Sequence, residues 1–164
     1  MMRVAVSTLV MAVLVVGARA ASPVAAPQPA TASGQYQIVK VCSLLTVAEV
    51  KKLAPWEPMF DQMKIEEEGI GGGSSCNYPT AAVQVMQFRQ GTIDALSKQY
   101  KLEAVAGVGD AAWLRNNRDM FAELMAKVGP HLLTVQTSIS RGKTFETSKP
   151  ELLNLGRGFA AKLR

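Results

Sequence analysis

The chain has 164 residues, 18 Lys+Arg against 13 Asp+Glu, and a formal net charge of +5. With 48% hydrophobic and 19% charged residues, it is neither disordered nor collagen-like, and its length favours one domain over two. Two cysteines and one histidine exclude a zinc finger, any site built from several Cys and His ligands, and a Ser-His-Asp triad that does not use His131.

Met1, Met2 and Arg3 form a short positive start. Residues 4–16 are apolar or small apart from Ser7 and Thr8, and Ala18-Arg19-Ala20 follows. This pattern reads as a cleaved secretory signal over residues 1–20, since a spanning helix needs about 20 apolar residues. Cys42 is the first cysteine, so no lipid-attachment thiol adjoins the cleavage point and no stable membrane anchor is expected after cleavage. Loss of Arg3 and Arg19 leaves 16 basic and 13 acidic residues. That mild excess, with no basic run interleaved with aromatics, gives nucleic-acid binding little support.

Residues 21–35 carry three prolines, five alanines and no charge, the composition of a linker. A single globular domain is expected over residues 36–164. Thr46-Val-Ala-Glu49 reads as a capping box that opens a helix with Val47, Val50 and Leu53 on one face, ended by Pro55. Trp56 to Ile65 is an irregular stretch expected to cover the core with a short strand. Residues 66–75 (EEEGIGGGSS) read as a turn or mobile loop. The glycines lack the Gly-Lys-Ser/Thr ending of a phosphate loop, and the glutamates lack the alternating ligands of a calcium loop.

Strands are expected over 76–78 and 82–89, with Val83 and Val85 on one face and Met86 and Phe88 on the other. Thr92 is the expected cap of a helix carrying Ile93, Leu96 and Tyr100. Gly107-Val-Gly-Asp110 reads as a tight helix-to-strand connection. Strands over 111–115, 120–128 and 131–139 follow, joined by turns at 116–119 and at Gly129-Pro130. Ser148 is the expected cap of a last helix, with Pro150 in its first turn and Leu152, Leu155, Phe159 and Leu163 buried. Gly156 and Gly158 weaken that helix by about 1 kcal/mol each unless they permit close packing. The class is α+β: an antiparallel sheet of about four or five strands packed with two or three helices.

Cys42 and Cys76 are expected to form a disulfide in an oxidising compartment, closing a loop that stabilises by roughly 3–4 kcal/mol. His131 shares parity with Leu133 and Val135 and reads as a strand-end residue at the core margin; a catalytic base there needs a nucleophile or carboxylate within reach. No catalytic residue, metal site or cofactor is assigned. Trp113, Arg115, Asn117 and Arg118 form a candidate binding surface on a strand and its hairpin turn, because Trp and Arg anchor contacts well.

Cys42-Ser-Leu-Leu-Thr46 with Glu49-Val50, then Cys76-Asn-Tyr78, then Val105-Ala-Gly-Val-Gly-Asp-Ala-Ala112 resemble a family of small bacterial secreted proteins. Many of its members are lipoproteins whose domain has no assigned function. The resemblance runs from about residue 40 to the end, although this chain lacks the lipid-attachment cysteine. It implies a bacterial envelope protein with an α+β domain and supplies no catalytic residues. The leading expectation is a non-catalytic periplasmic or secreted binding module for a small ligand or an envelope protein partner. The alternatives are a small envelope hydrolase using His131 and a structural or inhibitory partner of another envelope protein.

Overall fold

The computed structural model describes residues 36–117, 120–139 and 142–164. The signal and linker expected over residues 1–35, and Arg118 of the candidate surface, lie outside them. Among the described residues seven strands form one antiparallel sheet: β1 Glu67–Ile70, β2 Gly73–Asn77, β3 Ala81–Gln87, β4 Glu103–Val105, β5 Ala111–Asn117, β6 Phe121–Val128 and β7 His131–Ser138. Their order in space is β1-β2-β3-β7-β6-β5-β4. Three α-helices accompany them: α1 Val47–Leu53, α2 Gln90–Gln99 and α3 Phe145–Lys162. The α+β class and antiparallel sheet agree with the sequence, but there are seven strands where four or five were expected.

The two additional strands arise at β1 and β4. The expected loop over 66–75 is a hairpin of β1 and β2, turning through Gly71 and Gly72 at φ +82°. Glycine and serine have low strand propensity, and tertiary pairing overrides it. Gly73 lies against β3 so closely that a Cβ would stand 2.1 Å from the Val85 carbonyl oxygen. Buried Ser74 donates its hydroxyl to the Val39 carbonyl at 2.5 Å and accepts the Val41 N–H at 3.3 Å. Gly107-Val-Gly-Asp110 therefore joins two strands, β4 and β5, rather than a helix and a strand.

Residues alternate between two covered faces. On the first, Val83, Val85, Leu114, Leu124, Leu133 and Val135 meet Leu152, Leu155 and Phe159 of α3, with Val50 of α1 in the same core. Gly156 of α3 sits so near the sheet that a Cβ would meet Leu124 Cδ2 at 2.1 Å; one at Gly158 would meet Leu53 Cδ1 of α1 at 2.7 Å. The second face carries Met125 and Leu132 against Ile93 of α2, with Met86, Phe88, Leu96 and Trp113 around them. Both faces of β3 are thus covered, the second in part.

Local signals fare unevenly. The Thr46–Glu49 capping box forms and α1 ends before Pro55. The last helix starts earlier than expected: Thr144 is its cap, in a reciprocal pair with Thr147. Ser148 is instead inside the helix, donating to the Thr144 carbonyl at 2.9 Å, and Pro150 is an interior residue. Likewise α2 begins at Gln90 with Arg89 as its cap, so Thr92 is helical. Residues 56–65 contain a 3-10 turn, Pro58–Phe60, and no strand. The Cys42–Cys76 disulfide is present and ties the 3-10 turn Val41–Ser43 to β2. No helix among the described residues is long and apolar enough to cross a membrane.

Candidate functional site

At the end of the sheet where β2 hands over to β3 and β7 finishes, a cavity of about 620 Å³ opens. Three segments remote in sequence build it. Pro55, Trp56, Glu57 and Phe60 come from the stretch after α1, Pro79 and Thr80 from the β2–β3 turn, and Ser138 and Lys143 from the chain between β7 and α3. A smaller cavity of about 140 Å³ shares Pro79, Thr80 and Ser138 with the first and reaches to Asn77, Phe121 and Gln136. The first is the candidate groove, and it shares the Pro79-Thr80 turn and Ser138 with the second. Antiparallel register explains the meeting: Ala81 pairs with Thr137, and Phe121 with Ser138.

The walls are fixed. The Trp56 indole Nε1–H donates to Asp61 Oδ1 at 2.9 Å, and Lys51 Nζ donates to the same oxygen at 2.5 Å. The Lys51 hydrogen bond, with that of Trp56, holds the Asp61 carboxyl below the usual carboxylate range. Lys51 Nζ also stands 5.7 Å from the Trp56 ring centroid, a cation–π arrangement. Prolines at 55, 58 and 79 restrict the backbone of the surrounding turns. Lys143 Nζ is bound to Glu151 Oε2 at 2.7 Å.

Four buried side-chain oxygens among the described residues lack a hydrogen-bond partner: Tyr78 OH, Thr80 Oγ1, Thr137 Oγ1 and Glu151 Oε1. Thr137 and Glu151 line neither cavity. Thr80 lines both cavities and Tyr78 the smaller one. Thr137 precedes Ser138 in β7, and Glu151 holds the groove-lining Lys143. Burial, with a further push from Glu67, raises the Tyr78 hydroxyl to about 12, so it stays protonated and able to donate.

The residues singled out from the sequence lie elsewhere. Trp113 is half-buried among the side chains beneath α2. Arg115 donates Nε to Glu123 Oε2 at 2.6 Å, adds an Nη2 contact to the same oxygen, and stacks over Tyr100 at 4.5 Å. Both members of that ion pair are nearly buried, with side chains 12% and 11% exposed. Asn117 closes β5 opposite Phe121. Trp113 and Arg115 are thus engaged within the sheet's second face rather than presented at a hairpin tip.

His131 Nδ1 lies 3.0 Å from the Tyr36 hydroxyl, the rings edge to face. Burial lowers the imidazole pKa and raises that of the phenol, so the pair is neutral and the donor in its hydrogen bond is set by the imidazole tautomer. The hydroxyl within reach of His131 therefore belongs to a phenol kept protonated, which makes it a poor nucleophile. His131 is not among the residues lining the groove. Among the described residues no three His, Cys, Asp or Glu side chains gather as metal ligands.

Sequence reading missed the groove because its walls are dispersed over more than eighty positions. Trp56 between Pro55 and Pro58 was the available signal: a large aromatic in a stretch too proline-rich for a helix or strand. Compared with protein-family models, curated proteins and solved structures, the chain finds no match in any of the three.

Proposed function

We propose that the chain is a non-catalytic binding module, exported to the periplasm or beyond, that takes a small ligand in the groove between Trp56 and the Pro79-Thr80 turn. The single observation behind this reading is the cavity of about 620 Å³, within the size range of small-molecule sites. Its lining mixes apolar rings with a few polar groups, the usual make-up of such sites. Export is supported by the Cys42–Cys76 disulfide, which persists in oxidising compartments, and by the signal-like start. The resemblance to small secreted bacterial domains favours the same location.

The test is an amide and indole NMR titration of the folded domain with a library of small fragments. Saturable shifts are expected at the Trp56 indole, Thr80 and Ser138. Shifts confined to other surfaces, or none at all, would remove the groove as a binding site. Retention of a small molecule by protein purified from its own periplasm, read by native mass spectrometry, is the complementary expectation.

A further inference from the structure

We infer that the space between the Gly107–Gly109 loop and the C-terminal end of α3 is a second binding site, one that takes a phosphate group. A cavity of about 240 Å³ opens there, lined by Gly107, Gly109, Arg157, Ala160, Ala161 and Arg164. None of these residues lines the groove at Trp56, so the two sites are independent. Arg157 lies within α3, and Arg164 follows its C-cap, Leu163. The rest of the lining is glycine and alanine. The chemistry of the cavity is therefore that of two permanently charged guanidiniums, with no carboxylate in the described wall.

Arg157 carries the inference. Its side chain lies against the loop, where a Cβ on Gly107 would meet its Nε at 3.8 Å. Its Nη1 donates to Asn154 Oδ1 at 3.3 Å. That partner is a neutral amide, and Arg157 has no carboxylate partner among the described residues. Cations complement the helix macrodipole only within the last turn. Arg157 stands more than a turn before Lys162, where α3 ends, so the dipole does not account for it. Its charge and its remaining N–H donors are left for an incoming anion. Arg164 Nη2 is 3.6 Å from Asp110 Oδ1, longer than a hydrogen bond. The other Asp110 oxygen accepts the Gly129 N–H, and Asp110 does not line the cavity. Gly107 and Gly109 have φ of +82° and +60°. Turns of this kind gather neighbouring backbone N–H groups into anion-binding concavities, and glycine lets an oxygen come close. Two guanidinium forks match an anion with two charges and several oxygens, which favours phosphate over a single carboxylate. The volume is below that of sites enclosing a whole small molecule, so the remainder of the ligand extends into solvent. A soluble phosphate and the headgroup of an anionic lipid share this chemistry.

The experiment is an NMR titration of the folded domain with sodium phosphate, ionic strength being held constant with sodium chloride, and in parallel with sodium acetate. Saturable shifts of the Arg157 Nε–H and of the Gly107 and Gly109 amides are expected at phosphate concentrations up to about 10 mM, and none with acetate. Arg157→Gln should weaken phosphate binding by about tenfold or more, because it removes both charge and fork. Arg157→Lys keeps the charge and should recover only part of the loss. Arg157 is exposed, so these variants keep the fold. Arg89→Gln, at the exposed cap of α2, should leave binding unchanged. Cosedimentation with phosphatidylcholine vesicles, with and without phosphatidic acid, separates the two sources. Binding to phosphatidic acid that is lost in Arg157→Gln assigns a lipid headgroup, and phosphate binding without it assigns a soluble phosphate. No saturable response, shifts that follow acetate as closely as phosphate, or phosphate binding indifferent to Arg157→Gln would each overturn the site and leave the Trp56 groove untouched.

Discussion

Gly109 and Gly107 both have positive φ, +60° and +82°, two residues apart in the loop between β4 and β5. Their surroundings separate them. A Cβ at Gly109 would stand 2.2 Å from the Lys127 carbonyl oxygen, which is backbone of β6, whereas one at Gly107 meets only Arg157 Nε at 3.8 Å. Gly107→Ala should cost about 1 kcal/mol, the left-handed penalty alone. Gly109→Ala should cost clearly more, because the ladder must also move. Urea unfolding of the two variants checks the order, and equal losses would refute the close approach. Asp110 beside it accepts the Gly129 N–H at 2.7 Å and donates its own N–H to the Lys127 carbonyl. The Gly-Val-Gly-Asp sequence thus serves to clamp the β6–β7 turn.

His131 supplies a second prediction at this scale. Its folded pKa lies below the ordinary histidine value because burial disfavours the imidazolium. The unfolded chain therefore takes up the proton first on acidification. The stabilisation is fully present above about pH 6.5 and is lost as pH falls through that value toward the lower folded pKa. Protonation also makes both ring nitrogens donors, so the imidazolium Nδ1 donates to the Tyr36 hydroxyl. His131→Gln should flatten the dependence of stability on pH between about 7 and 5. An unchanged slope in chemical denaturation would show that the loss comes from other groups.

At the scale of elements, legibility followed the range of the interactions. The Thr46–Glu49 box was readable because its partners are three residues apart and bond each other reciprocally. The alternation of Leu133 and Val135 was readable because β7 lies between β3 and β6. The β1–β2 hairpin was not, since Gly73, Ser74 and Ser75 become a strand only by pairing with β3. The Thr144 cap escaped because Ser148, two residues before Pro150, offered the same local pattern one turn later. The Arg115 ion pair was hidden for a related reason. Its partner Glu123 lies across the β5–β6 ladder, which sequence order does not display. Losing one member of a nearly buried pair strands the other, so Arg115→Met should cost roughly 3–5 kcal/mol. Adding Glu123→Leu should recover much of that loss, which a double-mutant cycle measures. Additive losses would mean that the two side chains are not coupled.

Across the whole molecule, the strand order resolves into two continuous runs of neighbours: β1-β2-β3 and β7-β6-β5-β4. Within each run every strand pairs with its successor in the chain. The runs meet at one seam, β3 against β7, from Ala81–Thr137 to Gln87–His131. The chain passes between them through α2 and leaves β3 for β4 at the far edge. The disulfide belongs entirely to the first run's half and α3 to the second. Where the halves touch, the seam is reinforced by α1 against α3 at Gly158 and Leu53.

Such an architecture is two meanders joined along one ladder and closed over a shared core, with α2 of the first packed on Met125 and Leu132 of the second. Cleavage after Tyr100, where α2 ends and β4 has not begun, should therefore yield two pieces that find each other in solution. Co-expressed fragments 36–100 and 101–164 are expected to copurify and to restore the circular-dichroism spectrum of the intact domain. The groove would then assemble only on reunion, because Trp56 and Thr80 belong to one fragment and Ser138 and Lys143 to the other. A ligand of that groove would hold the two pieces together, giving the split protein the makings of a ligand-dependent switch.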